Sequence, residues 1–420
     1  MRRTPRLLAL ALAAIIALSG TVLAAPAAQA VACGDGSLRF SGGDGSIGSP
    51  FLIDSEADLV ALRDGWTTTP SYYSCAYLQV TDITLTTAWE HGIGFSTPGS
   101  ALYKPFQGVY DGGGHAVTNL TINAASVSRA NQGRELGFIG LSTSGAAVVR
   151  NLNLVNATIT CGFEAQFAGM LVAQIYGTVE RSSATGTISC GAANNLARMG
   201  GLVGYTNGPV SNAWVSGTIT VPTASSFLPN SVGGVIGRSD ASASVQYVIG
   251  RVGLVNAGSA VWPGIVTGYN NSGPFSNVFA QSGLTAGLSG VVGVGSTSGA
   301  SLKSPAQLQD IATYSGWSIS AGRNSSTIWG IDPSINGGFP FLQALPVAYD
   351  PSQVPPPILQ QLPVLHDGTC AIEDDAAYGY GASVHGGWGS SWAQWANAGT
   401  GGPVCTRTLV YTPGGWAVET

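Results

Sequence analysis

The sequence predicts an all-β chain wound as a right-handed parallel β-helix, with an N-terminal capping helix and a small C-terminal module rich in cysteine and tryptophan. Three observations carry that prediction. A glycine followed by two apolar residues recurs at Gly137-Phe138-Ile139, Gly169-Met170-Leu171, Gly201-Leu202-Val203, Gly234-Val235-Ile236, Gly264-Ile265-Val266 and Gly290-Val291-Val292. The intervals are 32, 32, 33, 30 and 26 residues. About ten residues after each of the first five glycines a second apolar run begins, at Val148, Val179, Val210, Val245 and Phe275. Turn chemistry separates the runs, as at Asn207-Gly208-Pro209 and Ser216-Gly217. A fixed period of this length made of strands marks a solenoid, because each unit is too short to bury a face alone and must stack on a near copy. Helical repeats share the period, but Val, Ile, Thr and Gly dominate these units, and Pro or Asn-Gly interrupts them. Stacked parallel strands about 4.8 Å apart satisfy one another's amides and leave columns of side chains inside.

Residues 1–30 read as a secretory signal. Arg2, Arg3 and Arg6 form its charged end, Leu7 to Leu18 the apolar run, and Ala28-Gln29-Ala30 the cleavage site. The run breaks at Ser19-Gly20, short of the ~20 residues a membrane span requires. No membrane span is expected, and the mature chain belongs outside the cytoplasmic membrane. Cys33, close behind the signal, leaves lipidation open as an alternative.

Residues 31–105 form the N-terminal cap and lead-in segment. Ser55 with Asp58 three positions on begins a helix over residues 54–64, with Leu59, Val60 and Leu62 on its apolar side. A helix across the first coil would block edge-to-edge growth of the open strands. The repeats occupy residues 106–303. A C-terminal cap follows at 304–345, where Ser304 as N-cap, Pro305 at N1 and Gln307 at N3 open a short helix toward Tyr314. Six prolines between Pro346 and Pro363 make 346–363 a stiff linker.

The module at 364–420 holds Trp388, Trp392, Trp395 and Trp416, four of the ten tryptophans. The first three, at i, i+4 and i+7, fall on one side of a helix. Two readings stand: a face on which saccharide rings stack, or a mini-core around a Cys370–Cys405 bridge, since so small a module needs large side chains and a staple.

The flanks of the repeats are as distinctive as the repeats. Gly48-Ser49-Pro50-Phe51-Leu52-Ile53 precedes Asp58 to Asp64, and Tyr77 to Ile83 and Phe106 to His115 follow. The exit runs through Ile311 to Trp317, Trp329-Gly330-Ile331-Asp332 and Phe339-Pro340-Phe341-Leu342. Together these resemble GLUG-motif repeat proteins, glycine-rich bacterial surface proteins and adhesins whose repeats also flank some immunoglobulin proteases. The resemblance covers about residues 45–345. It departs at Val172 and Thr267, where the closing glycine of the motif would stand. It implies adhesion-type binding of an extracellular glycan or surface protein.

Charge narrows the partners. Without residues 1–30 the chain keeps 13 Lys and Arg against 21 Asp and Glu, a net charge of −8, which disfavours nucleic acid and acidic lipid. Charged residues are 9% of the chain, against about 25% ordinarily, while 45% hydrophobic content with regular spacing argues for a core rather than disorder. Six cysteines in an exported chain read as disulfides, with fifteen possible pairings. Proximity favours Cys33–Cys75, Cys161–Cys190 and Cys370–Cys405, the middle pair being 29 residues apart and so about one coil. No C-x-x-C spacing suggests zinc, so no metal or cofactor is expected.

Catalytic chemistry finds little to use. Polysaccharide hydrolysis needs paired carboxylates, and lyases need an acid cluster for calcium with a base beside it. Between Gly137 and Ala300 the acids are Glu164, Glu180 and Asp240, in different coils, with no histidine or lysine. The five arginines there come one per coil. Asp111 and His115 around three glycines read better as a turn than as an acid–base pair. Glu373-Asp374-Asp375, with His366, Asp367 and His385, could hold a divalent ion or form a solvated loop. No G-x-S-x-G elbow accompanies a histidine in suitable order. The expectation is an exported, monomeric, non-catalytic solenoid that binds a glycan or a surface protein. Its rivals are a polysaccharide-active lyase or hydrolase, and a spacer presenting a carbohydrate-binding C-terminal module.

Overall fold

A computed structural model describes residues 33–343 apart from 35, 68–71, 101, 132, 191–197, 222–230 and 257–258, together with the backbone of strands Ser391–Trp395, Cys405–Thr412 and Gly415–Val418. The proposed signal, the linker at 346–363, Trp388, Cys370 and the Glu373 acid run lie outside the described residues.

The thirty-odd-residue windows stack as coils of a parallel β-solenoid. Strands Ile139–Ser142, Val172–Ile175, Val203–Thr206, Ile236–Ser239, Thr267–Asn270 and Val292–Gly295 form a six-stranded sheet, every neighbour parallel. Three-residue strands ending at Gly169, Gly200, Gly233 and Gly264 join Glu135–Leu136 in a five-stranded parallel sheet. A third sheet of fourteen strands contains the long runs Asn153–Cys161, Ser183–Cys190, Val210–Thr220 and Val245–Val255. Inside run unbroken apolar columns: Val149, Val179, Val210, Val245 and Phe275, then Ile159, Ile188, Ile219 and Leu254. None of these is more than 8% exposed. β-branched residues suit such columns because they pack on a pleated surface with little rotamer freedom left to lose, and each one buried contributes about 1.5–3 kcal/mol.

The register corrects the sequence alignment by one residue in places. Gly169 pairs with Gly200 rather than Gly201, and Gly200 with Gly233 rather than Gly234. The doublets Gly200-Gly201 and Gly233-Gly234 made either choice look equivalent. Geometry removes the ambiguity: a Cβ on Gly169, Gly200, Gly233 or Gly264 would lie 2.2, 2.0, 2.0 and 2.0 Å from a backbone carbonyl oxygen three residues on. In this register Val172 and Thr267 stack on Val203 and Ile236 as ordinary core residues. The closing position falls one residue later, at Gly204, Gly237 and Gly268, with Ala173 the exception. Val148 shifts likewise, since it is Val149 that stacks on Val179.

One corner repeats through five coils. Asn151, Arg181, Asn212, Tyr247 and Asn277 all have positive φ, between 46° and 55°, and each directly follows a residue of one strand column. Asparagine tolerates the left-handed region; arginine and tyrosine carry a penalty of about 1–2 kcal/mol there. Arg181→Asn is therefore expected to raise stability by about 1 kcal/mol, read as a higher urea midpoint at unchanged slope. A lower midpoint would mean that contacts of the arginine outweigh the strain.

Helix α1 (Glu56–Asp64) starts after Ser55, whose Oγ accepts from the Asp58 N–H at 3.3 Å. The Asp58 carboxylate answers by accepting from the Asp54 N–H at 3.0 Å, one residue earlier than a standard capping box. Leu59 and Leu62 are fully buried in the solenoid core. Helix α2 (Pro305–Leu308) has both arms of the box between Ser304 and Gln307. The chain from there to 343 lies along the flank of the long sheet, where Tyr314, Trp317, Trp329 and Phe339 cluster with the outward-facing Ile249 and Phe279. Trp329 Nε1 donates to Asn212 Oδ1 at 3.1 Å, tying this segment to the left-handed corner. No described helix is long and apolar enough to cross a membrane.

Candidate functional site

Trp392 and Trp395 stand in the strand Ser391–Trp395, paired antiparallel with Cys405–Thr412. The expected helix is absent there, so the i, i+4, i+7 spacing does not group the tryptophans as it would on a helix: a strand repeats every two residues. Two cysteine pairs form as their spacing suggested. Cys33 bonds Cys75, and Cys161 bonds Cys190 with their Cα atoms 4.6 Å apart on adjacent coils. Cys405 begins a strand, and its expected partner Cys370 is outside the described residues.

Most carboxylates of the described residues are tied into structure. Asp111 accepts from the Gly113 N–H and Asn151 Nδ2, both at 2.9 Å, and from Arg150 Nε at 2.7 Å, while His115 faces Asp82 at 3.2 Å. The Asp111–His115 segment is thus a turn. Asp310 caps a 3₁₀ turn through the Ala312 N–H, and Asp332 holds Ser334. Glu56 accepts from Thr86 and Thr87. Among the described residues no three of His, Cys, Asp and Glu gather as metal ligands would.

A different constellation stands out on the surface. Two columns flank the corner between the five- and six-stranded sheets: Phe167, Arg198, Ser231 and Trp262 on one side, Gln174, Tyr205, Arg238 and Tyr269 on the other. Met199 and Thr206, next in the chain to Arg198 and Tyr205, are fully buried, so the pleat turns Arg198 and Tyr205 the other way, while Ser231 in the first column is itself 1% exposed. Guanidinium groups and rings interleave. Arg198 lies over Phe167 at 5.0 Å and Tyr205 at 6.0 Å; Arg238 lies over Tyr269 at 4.9 Å and Tyr205 at 5.9 Å. Such contacts contribute about 0.5–1 kcal/mol each, more when desolvated. Ring meets ring at Phe167–Tyr205 (5.7 Å), Tyr176–Tyr205 (5.9 Å) and Trp262–Tyr269 (5.0 Å). Four coils at a ~4.8 Å rise give a ladder about 15 Å long.

Its electrostatics are uneven. Asp240 accepts from the Tyr205 hydroxyl at 2.6 Å and from Arg238 Nε at 2.8 Å. Burial pushes the Asp240 carboxyl up, but these donors outweigh it and hold it below the usual range. Burial, reinforced by Asp240, pushes the Tyr205 phenol well up. Arg238 is neutralised by Asp240. Arg198 is not: among the described residues no carboxylate pairs with it. Burial and the neighbouring Arg238 lower its affinity for its proton, and Tyr205 and the more distant Asp240 offset only part of this. Sequence reading missed this face because it treated the arginines, one per coil, as isolated. The usable signal was an aromatic or arginine at the same offset from the repeat glycine in successive coils.

No family model matches the sequence. Halomucin of Haloquadratum walsbyi is 30% identical over 162 residues, 39% of this chain, and the chain spans 2% of that protein's length. A solved structure, a candidate immunoglobulin A1 protease from Bacteroides ovatus, aligns with 73% of this chain and 95% of its own at 15% identity and a TM-score of 0.42.

Proposed function

We propose that this is a non-catalytic binding protein of the cell exterior whose solenoid body engages a glycan through the arginine–aromatic ladder. The observation that carries the reading is the outward interleaving of rings and guanidinium groups over four coils. Flat rings offer stacking surface to the apolar faces of sugars, and rigid parallel strands fix their spacing before any ligand arrives. Support for the exterior comes from the signal-like residues 1–30, from two disulfides and from the likeness to a protein named as a mucin. The resemblance to GLUG-repeat surface proteins agrees with an adhesive role.

The test is a glycan array and whole-cell binding with the purified full chain and a Trp262→Ala, Tyr269→Ala double variant. Loss of at least tenfold in binding, with the circular dichroism of the parent, is the expected result. Undiminished binding by the double variant, lost instead when residues 364–420 are removed, would transfer the function to the C-terminal module. Depolymerisation of a bound polysaccharide would replace the reading with an enzymatic one.

A further inference from the structure

We infer that the ladder selects acidic saccharides, with Arg198 as the group that takes the ligand's carboxylate or sulfate; this rests on the glycan-binding reading above. Arg198 and Arg238 share a corner but differ in one respect. Arg238 has Asp240, whereas Arg198 has ring faces above and beside it and no counter-ion among the described residues. Stacking on Phe167 and Tyr205 uses the faces of the guanidinium and leaves its N–H edge, which matches a carboxylate or sulfate in bidentate geometry. A partly buried cation without a partner is costly, and an anion supplied by a ligand relieves that cost.

A second observation adjoins the first. Ser231 is the register partner of Arg198 on the next coil. It is 1% exposed, and its Oγ has no hydrogen-bond partner among the described residues. It is a small residue between Arg198 and Trp262 in a column otherwise filled by large side chains. The column is therefore narrow at Ser231, between the Arg198 guanidinium and the Trp262 indole. An anionic substituent held by Arg198 leaves the sugar ring to stack on Trp262 or Tyr269, two coils along.

The local charge agrees. The chain as a whole is acidic at −5, yet between Gly137 and Ala300 five arginines face three acids and no lysine or histidine occurs. Long-range repulsion of a polyanion by the rest of the chain is screened within about 8 Å at physiological salt, and a close guanidinium–anion contact is screened far less.

The experiment uses the full chain and three matched pairs of probes: oligogalacturonate and its methyl ester, chondroitin sulfate and desulfated chondroitin, sialyllactose and lactose. At least one acidic member is expected to bind tenfold or more tighter than its neutral mate. Arg198→Gln should erase that preference, weakening the acidic member at least tenfold more than its neutral mate, and Arg198→Lys should restore only part of it. Equal affinity for acidic and neutral mates, or a preference that survives Arg198→Gln, overturns the inference while leaving glycan binding by the ladder intact. Failure of every probe, and of the array, to bind sinks both. The comparison of mates on the parent protein needs no variant, so a misfolded Arg198→Gln cannot shelter the idea.

Discussion

Gly233→Ala is expected to cost on the order of 4 kcal/mol or to prevent folding of the surrounding coils. A Cβ there would lie 2.0 Å from the Ile236 carbonyl oxygen, 2.6 Å from Thr267 Cα and 2.8 Å from the Gly268 nitrogen. All three are backbone atoms, two of them on the next coil, so no side chain can swing away. Relief requires parting two coils, which breaks the ladder Ile236 makes with Thr267. Damage in a stack of repeats spreads to neighbours because each coil is the template of the next. Hydrogen exchange resolved by peptide should show lost protection centred on residues 231–270, and an unfolding free energy within about 0.5 kcal/mol of the parent's would contradict this expectation. By contrast, Gly145 has open space around its missing Cβ, and Gly145→Ala serves as the tolerated control.

Glu135 should make the protein less stable as the solution becomes alkaline. Its side chain is 4% exposed and sits under the Phe95–Ser96 strand, accepting from the Ser96 N–H at 2.7 Å and the Ser96 hydroxyl at 2.8 and 3.0 Å. Burial pushes the carboxyl up from the ordinary 4.5 to about 7, against the opposing pull of Ser96 and Arg134. A folded-state value above the unfolded one means that the folded chain holds this proton more tightly. The contribution is complete below pH 4.5 and is lost as pH rises through 7. At about 1.4 kcal/mol per pH unit, the loss is on the order of 3 kcal/mol. His91, also buried and with its pKa lowered by burial, works in the opposite direction, so the parent curve alone does not isolate the effect. The difference between the parent and Glu135→Gln does: it should shift by about 3 kcal/mol in favour of the variant between pH 4.5 and 8. Parallel stability curves for the two proteins would refute it.

How much of this was readable beforehand depends on how far apart in sequence the cooperating residues stand. The solenoid was legible because its signal is periodic and redundant: a valine or isoleucine missed in one coil is supplied by the next. Cys161 and Cys190 were legible for the same reason, being one period apart. The N-caps at Ser55 and Ser304 were legible because capping is local. Register was not, since Gly200-Gly201 offers two equivalent glycines and only the approach of the Val203 carbonyl decides between them. The ladder was hidden more thoroughly. Arg198 and Tyr205 are seven residues apart but meet only because a glycine corner folds one strand against the next, while Phe167 and Tyr269 arrive from coils on either side. Glu135 gave no sign at all, because its burial depends on a hairpin thirty-odd residues earlier. Trp392 and Trp395 show the reverse hazard: a helical spacing can occur by chance in a segment that runs as strand.

Under the proposed role in binding at the cell exterior, the bond between Cys161 and Cys190 has a mechanical meaning. Tension applied to the two ends peels coils away singly, and each freed coil of about 30 residues adds roughly 100 Å of slack. The sulfur clip fastens one coil to the next at the same height, so the 29 residues between the two cysteines cannot pay out while it stays oxidised. It lies ahead of the Arg198–Tyr269 stretch in the chain, shortening the reach of a partly unravelled molecule on that side. Reduction would free those 29 residues to pay out, lengthening the tether.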